Sequence, residues 1–481
     1  MRDEERVAAV DAQHVRRNFL GGAGRVVPWC IGLAWLALAG CAHYRARPLT
    51  PAAIRAALAV RPATTLWVRR ARLMLPSLPP LVVRKGQRLT PDLAAVVAVV
   101  GDPALRALRA QEAVARAQVL TAGLLPNPVF SYGVGVPLSG AGLTRAFRTG
   151  LGLPIRSLVT RAPRVKGARL HAQAVNLAIA WQEWQVAARA KALAYALIMG
   201  HAERRLLARE IRALRHSVAI LADGEAAGYV TLGVAGAARL ALRQTEVVSL
   251  KVRQHLASLA LELRALLGLG AHAPLRLVRR VARPEPGHDC LRSAPWLQGL
   301  ARRRLDLLAL RKGYASEDAS LRAAIAGQFP AITIGVDRAR DTSDINTLGA
   351  GITVALPIFN HNQGAIAKAR ATRRALFRAY AAHLFAARAG IHRLIVHLRY
   401  LRRETHSTRS AVHALNHLEA LYHVALAKHR IAAFTYYQLL EKLVKQRLVL
   451  LQDRALRDQL AVAVEAASGR FEWPKTCAGR L

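Results

Sequence analysis

The chain writes one pattern twice, and no compact soluble domain has an obvious use for it. A helical segment runs into Gly123-Leu124-Leu125-Pro126-Asn127-Pro128. Two alternating strands then close on Leu153-Pro154-Ile155, and a very long Ala/Arg/Leu helix follows. About 200 residues later the order returns, a spacing too long for a solenoid unit and suited to a duplicated half. There a helical segment reaches Gly327-Gln328-Phe329-Pro330, two strands close on Leu356-Pro357-Ile358, and a second long helix begins.

Splitting each strand into odd and even positions separates an apolar face from a small or polar one. Phe130, Tyr132, Val134, Val136 and Leu138 oppose Ser131, Gly133 and Gly135; Phe147, Leu151, Leu153 and Ile155 oppose Arg148, Gly150 and Gly152. Ile332, Ile334 and Val336 oppose Thr333, Gly335 and Asp337, and Leu348, Ala350, Ile352, Val354 and Leu356 oppose Gly349, Gly351 and Thr353. One such strand would equally fit a half-buried soluble sheet, but four, paired in two hairpins with glycines crowding the other face, point to a membrane barrel. Four strands cannot close one, and an open edge cannot stand in lipid, so several copies are expected to share a barrel. The segments 139–146 and 338–346 are expected to be external loops, and Phe329 and Phe359 to sit in an inner aromatic girdle.

The segments 163–223 and 363–428 read as helices on the order of 90 Å long. Each is expected to end in a turn, Gly224 to Thr231 and Lys428 to Thr435, before a shorter helix of about 35 residues returns roughly halfway. There 270–295 and the tail from Gly469 would form a collar.

The charge of +42 on 481 residues invites a nucleic-acid reading, but aromatics are only 5% and the arginines are spread along every helix. Clustered basic faces interleaved with aromatics are missing, so a basic solvated surface is the expectation and no specific nucleic acid is a partner. Glu203, Glu210, Glu246 and Glu262 are expected in surface ion pairs, and His413 and His417 in a solvated stripe rather than a metal site. No phosphate-cradling loop, zinc motif or serine elbow is present, so the chain is read as a non-enzyme with no cofactor.

Val26 to Ala39 is an apolar run of signal-peptide length ending in Leu38-Ala39-Gly40-Cys41. It resembles a bacterial lipoprotein site, which would make Cys41 the acylated first mature residue, carrying palmitate or a similar chain. Ala42 after it resembles outer-membrane sorting. Cys290 and Cys477 would then remain, and an exported chain could join them in a disulfide. The expected organisation is a signal peptide over 1–40, an anchored segment and collar over 41–101, repeats over 102–295 and 296–468, and a tail over 469–481.

From Leu89 to Gly469 the chain resembles the TolC-like outer-membrane efflux family. The resemblance rests on Leu89-Thr90-Pro91-Asp92, Leu125-Pro126-Asn127-Pro128, Ala227-Gly228-Tyr229-Val230-Thr231, Gln328-Phe329-Pro330, Leu356-Pro357-Ile358-Phe359-Asn360-His361-Asn362-Gln363-Gly364 and Tyr437-Gln438-Leu439-Leu440. It implies a mainly α fold, a coiled-coil tunnel topped by a homotrimeric twelve-stranded barrel in outer-membrane lipid. It also implies a periplasmic adaptor and an inner-membrane pump as partners, with heavy-metal cations or drugs as cargo. Gly228, Tyr229, Val230 and Thr231 of the first tip, and Ala432, Ala433, Phe434 and Thr435 of the second, would contact the adaptor or pump. The second tip lacks the usual glycine. Asp223, Glu225 and Glu419 are the candidates for an entrance gate, too few for an acidic ring. The alternative reading is a lipid-anchored basic helical scaffold that binds nucleic acid or acidic polymers.

Overall fold

A computed structural model describes residues 44–59, 88–140, 143–281 and 291–470. The expected signal segment, Cys41, Cys290 and Cys477 lie outside the described residues. The chain divides into two units, Met1–Arg61 and Pro62–Leu481. In the first, α1 (Pro51–Ala59) starts at Thr50, whose Oγ1 accepts from the Ala53 N–H at 3.2 Å.

The second unit opens with a capped helix. Thr90 Oγ1 accepts from the Leu93 N–H at 3.2 Å, Pro91 takes the first helical position, and α2 (Pro91–Gly101) follows. Pro103 forces Asp102 out of the helical region, and Asp102 Oδ1 accepts from the N–H groups of Ala104 and Leu105, starting α3 (Pro103–Gly123). β1 (Val129–Gly135) and β2 (Ala146–Pro154) come next, then α4 (Arg156–Ala226) and α5 (Leu232–Leu266). The joint leads through the short turns α6 (Ala294–Leu297) and α7 (Leu300–Arg303) to α8 (Leu305–Ala326), β3 (Ala331–Arg340), β4 (Asn346–Ala355), α9 (Gln363–Ala427) and α10 (Ala433–Ser468).

The four strands form one antiparallel sheet in the order β1-β2-β3-β4. The central pairing aligns Leu151 with Val336 and Leu153 with Ile334, so the apolar faces of both hairpins coincide. On that face Phe130 lies beside Leu151, Val336 and Ala350. β3 runs to Arg340, further than expected, and only 341–345 link it to β4. Asp341 makes that link tight: its Oδ1 accepts from the N–H groups of Ser343 and Ile345, both at 2.9 Å.

α4 has 71 residues and α9 has 65, which at ~1.5 Å per residue is ~105 and ~100 Å. α4 begins at Arg156 rather than at Pro163, which lies inside it. The missing proline donor deprives only the carbonyl four residues back, at Val159, whose side chain is exposed to solvent. The start of α9 explains the polar run after Phe359. Asn362 adopts φ +66, its Nδ2 donates to the Ala324 carbonyl at 2.7 Å, and Gln363 Oε1 accepts from the His361 N–H at 3.0 Å. These side chains make the strand-to-helix corner.

Two apolar clusters hold the middle of the long helices. Leu193 and Leu197 of α4 meet Ala98 of α2 and Leu256, Leu263 and Leu267. Ile391, Ile395 and Leu398 of α9 meet Trp296, Leu300 and Val464. Lys191 ties the first cluster to α10 through Glu465 at 3.1 Å, and Trp184 Nε1 donates to the Ala466 carbonyl at 3.0 Å.

Glu210, Glu246 and Glu262 pair with Arg447, Arg215 and Arg189, but Glu203 is not on the surface. It is buried and bonds Gln452, and desolvation raises its pKa. Asp453 next to that glutamine is also buried, bonds Thr408, and leaves Oδ2 without a partner. Burial first, and Glu404 second, raise its pKa. A raised carboxyl pKa favours the fold below the unfolded value and costs stability as pH rises through the folded one. Asp453→Asn should therefore raise the melting temperature at neutral pH, and the gain should shrink as pH falls towards about 4. Melting curves of both proteins across that range check it; a gain independent of pH would contradict the buried-charge account.

Candidate functional site

The far ends of the two long helices meet in one packed body. Ile211 and Leu214 of α4, Ala238 and Leu242 of α5, and Tyr436 and Tyr437 of α10 form its buried core. Tyr422 and Leu426 of α9 pack on it. Tyr436 and Tyr437 meet edge to face, with ring centroids 5.5 Å apart at 68°, the geometry that aromatic quadrupoles favour. From α10, Arg447 reaches Glu210 on α4 at 2.9 Å and Asn416 on α9 at 2.7 Å.

Both turns have the same backbone. After α4, the Gly228 N–H bonds the Glu225 carbonyl and the Tyr229 N–H bonds Gly224 at 2.8 Å. After α9, the His429 N–H bonds the Leu426 carbonyl and the Arg430 N–H bonds Ala425 at 2.8 Å. Gly228 has φ +75 and His429 has φ +55, so both carry the left-handed residue that closes a helix. The glycine sought among Ile431 to Phe434 is therefore replaced by His429, and the second tip is shaped like the first. A left-handed histidine is a signal that only counting the turn from the helix end would have found.

The named tip residues do not share one environment. Tyr229 is 88% exposed and Gly228, Thr231, Ala432, Phe434 and Thr435 are exposed, while Val230 folds back over Gly224. Thr231 occupies the N-cap position of α5 without a side-chain cap bond. Ala433 is 3% exposed, within the shared core. The expectation of a free surface contact fails for Ala433: it opens α10 and points at Tyr436 and Tyr437's cluster, so it supports the tip from inside.

The three gate candidates are also unlike one another. Asp223 is exposed. Glu225 is paired with Arg239 of α5, across the turn. Glu419 Oε1 accepts from the Tyr436 hydroxyl at 3.3 Å. Burial, then the Glu419 charge, pushes the Tyr436 hydroxyl well above the ordinary tyrosine range, so it remains a donor throughout the working pH range. Two of the three carboxylates are thus engaged within the protomer.

The sheet presents a second surface. Phe130, Tyr132, Leu151, Ile334, Val336 and Ile352 are all at least half exposed on one face, an area larger than single scattered apolar residues explain. On the other face Arg148 Nε bonds Asp337 Oδ2 at 3.2 Å among glycines. No described helix is long and apolar enough to cross a membrane. Among the described residues no three His, Cys, Asp or Glu side chains group as metal ligands, and His413 and His417 are exposed.

No protein-family model matches the sequence, and no curated protein matches it. Solved structures do match. CusC, described for the conformational changes accompanying folding and transmembrane channel formation, aligns with a TM-score of 0.66 at 17% identity, over 82% of this chain and 96% of that one. The outer membrane protein VceC of Vibrio cholerae aligns at 0.65 and 16% identity, over 79% and 97%. The CmeC outer membrane channel of Campylobacter jejuni aligns at 0.62 and 11%, over 82% and 91%. The chain therefore has the fold of these outer-membrane channel structures, long helices joined to a four-stranded antiparallel sheet.

The matched turns predict opposite outcomes for two substitutions. His429→Gly should stabilise the second tip by about 1 kcal/mol and Gly228→Val should destabilise the first by about 1–2 kcal/mol, since only glycine takes positive φ without strain. Hydrogen exchange of the amides in 227–231 and 428–432 reads both changes; equal effects of either sign would refute the matched-turn assignment.

Proposed function

We propose that this chain is the outer-membrane duct of a tripartite efflux system, through which cargo passes passively from the periplasm to the outside. The observation that carries the reading is the sheet. Its apolar face is exposed, yet β1 and β4 each keep an unpaired edge, and neither water nor lipid accommodates both features in a single copy. Three copies joined edge to edge, β4 to β1, close twelve strands, put the apolar face on lipid and turn Arg148 and Asp337 into the lumen.

On this reading Cys41 carries the lipid anchor, after a signal peptide over 1–40. Residues 41–101 anchor and collar the chain, 102–295 and 296–468 are its repeats, and 469–481 is the tail. The long helices form the periplasmic tunnel. Exposed Gly228, Tyr229, Thr231, Ala432, Phe434 and Thr435 meet an adaptor that couples the duct to an inner-membrane pump. The adaptor favours an open entrance by binding it more tightly than the closed one. Asp223 is the gate candidate left facing solvent at that entrance. The cargo class that goes with the resemblance is heavy-metal cations or drugs.

Separation of inner and outer membranes, with detection on denaturing gels of unheated samples, tests the reading. An outer-membrane band at about three times the monomer mass supports it; a soluble or inner-membrane monomer overturns it and favours the basic scaffold. Tyr229→Asp combined with Phe434→Asp should abolish export in cells while the unheated trimer band persists. Ala433→Asp should instead lower the heat resistance of that band, because it places a charge in the tip core.

A further inference from the structure

Charge on the outward face of the sheet is confined to one end. Three successive rows of that face are apolar: Ile332 with Val354; Leu153, Ile334 and Ile352; then Phe130, Leu151, Val336 and Ala350. The next row is Tyr132, Thr149, Arg338 and Leu348, and the last is Val134, Phe147, Arg340 and Asn346. At ~3.3 Å per residue Arg338 stands ~20 Å along the strand above Ile332. This end carries the 341–345 link, while the long helices leave from the other.

Arg338 is exposed and makes no ion pair among the described residues. Its neighbour Asp337 points to the opposite face and is taken by Arg148. Arg340 is half-buried and pairs with Asp344 through Nη2, while its Nε is covered by the protein itself. Asp341, the other acid of the link, accepts backbone N–H groups with Oδ1. Arg338 therefore faces outward, exposed, at the upper edge of an apolar band, and Arg340, half-buried, paired with Asp344 and beside Phe147, is the next residue of the same face, with Tyr132 in the Arg338 row beyond Thr149.

We propose that Arg338 and Arg340 bind the phosphate groups of a phosphorylated glycolipid in the outer leaflet, one such site on each protomer. The inference rests on the barrel reading above, which sets this end at the outer surface. Charge complementarity selects the occupant: a guanidinium fork matches a phosphate in charge and geometry, and the apolar rows beneath accept its acyl chains. The flanking aromatics suit the headgroup level. A neutral lipid would leave the exposed Arg338 without an acceptor in a poorly hydrated layer.

The test uses the purified trimer in phosphatidylcholine nanodiscs doped with bisphosphorylated lipid A or with its dephosphorylated form, and native mass spectrometry of the lipid retained. The wild-type trimer is expected to retain up to three bisphosphorylated molecules and to release the dephosphorylated ones. Arg338→Gln with Arg340→Gln is expected to lower retention about tenfold, the scale of losing charge-assisted hydrogen bonds. Equal retention of the two lipids by the wild type, or unchanged retention by the double variant, overturns the proposal. So does stripping of the lipid by excess inorganic phosphate, which would mean that free phosphate rather than the lipid is recognised. If the double variant does not assemble, the wild-type comparison alone decides. A trimer without lipid preference refutes only this inference, whereas a chain that never enters bilayers as a trimer refutes the duct as well.

Discussion

Everything in this chain answers to a sheet that is incomplete. Each strand edge leaves a row of backbone N–H and C=O groups unpaired, at several kcal/mol per group in hydrocarbon. In water the edges could be solvated, but the face bearing Phe130, Leu151, Ile334 and Ile352 would then be exposed. Self-association through the edges resolves both problems at once. On the other face Gly335 has a local reason to be glycine: a Cβ there would approach the Leu151 carbonyl of the neighbouring strand at 3.1 Å.

The arginines, which looked like undirected surface charge, have a second use in the structure. Many close helix ends, where carbonyls have no partner in the helix itself. Arg161 donates to the carbonyl of Gly123 at the end of α3, Arg304 to Ala467 near the end of α10, and Arg303 to Trp296 in α6. Arg156 does the same for Gly327, at the end of α8. Arg304 also pairs with Asp306 and lies 4.6 Å over the Trp181 ring. The run Arg302-Arg303-Arg304 is thus in part a structural clamp where the second half begins. A five-donor planar group can join a carbonyl, a carboxylate and an aromatic face together, as lysine cannot.

Much of this was legible in the sequence because the relevant periods are short. Alternation over Phe130 to Val134, or over Ile332 to Val336, fixes which side of a strand is apolar. Long apolar-periodic runs give the two long helices, and the returning helices of 35 and 36 residues have the length expected of them. What was not legible depends on contacts between distant segments. Glu203 reads as one more acid in a basic helix, and only the packing of α10 buries it beside Gln452. Ala433 reads as a loop residue because it falls within the expected turn from Lys428 to Thr435, yet the turn closed at His429 lets α10 begin at Ala433, three residues earlier. Arg338 reads as the start of a loop, because its charge hides that the outward register of β3 continues through it.

The shared core at the tips constrains how an entrance there could open. Parting the two hairpins of one protomer would expose Ala238, Leu242, Tyr436 and Tyr437 together. At ~25 cal/mol per Å2 and ~150–250 Å2 for a buried tyrosine, the two rings alone would cost roughly 8–12 kcal/mol. The polar ties at the rim, such as Arg239 to Glu225 and Arg215 to Glu246, are exposed pairs of the kind that contribute only ~0–1 kcal/mol each. A coupling energy of the few kcal/mol that one adaptor contact can supply is enough to rearrange such ties and too small to break the core. Each protomer's tip therefore moves as one four-helix body. In the duct proposed above, dilation then falls to the seams between copies rather than to the core of each tip.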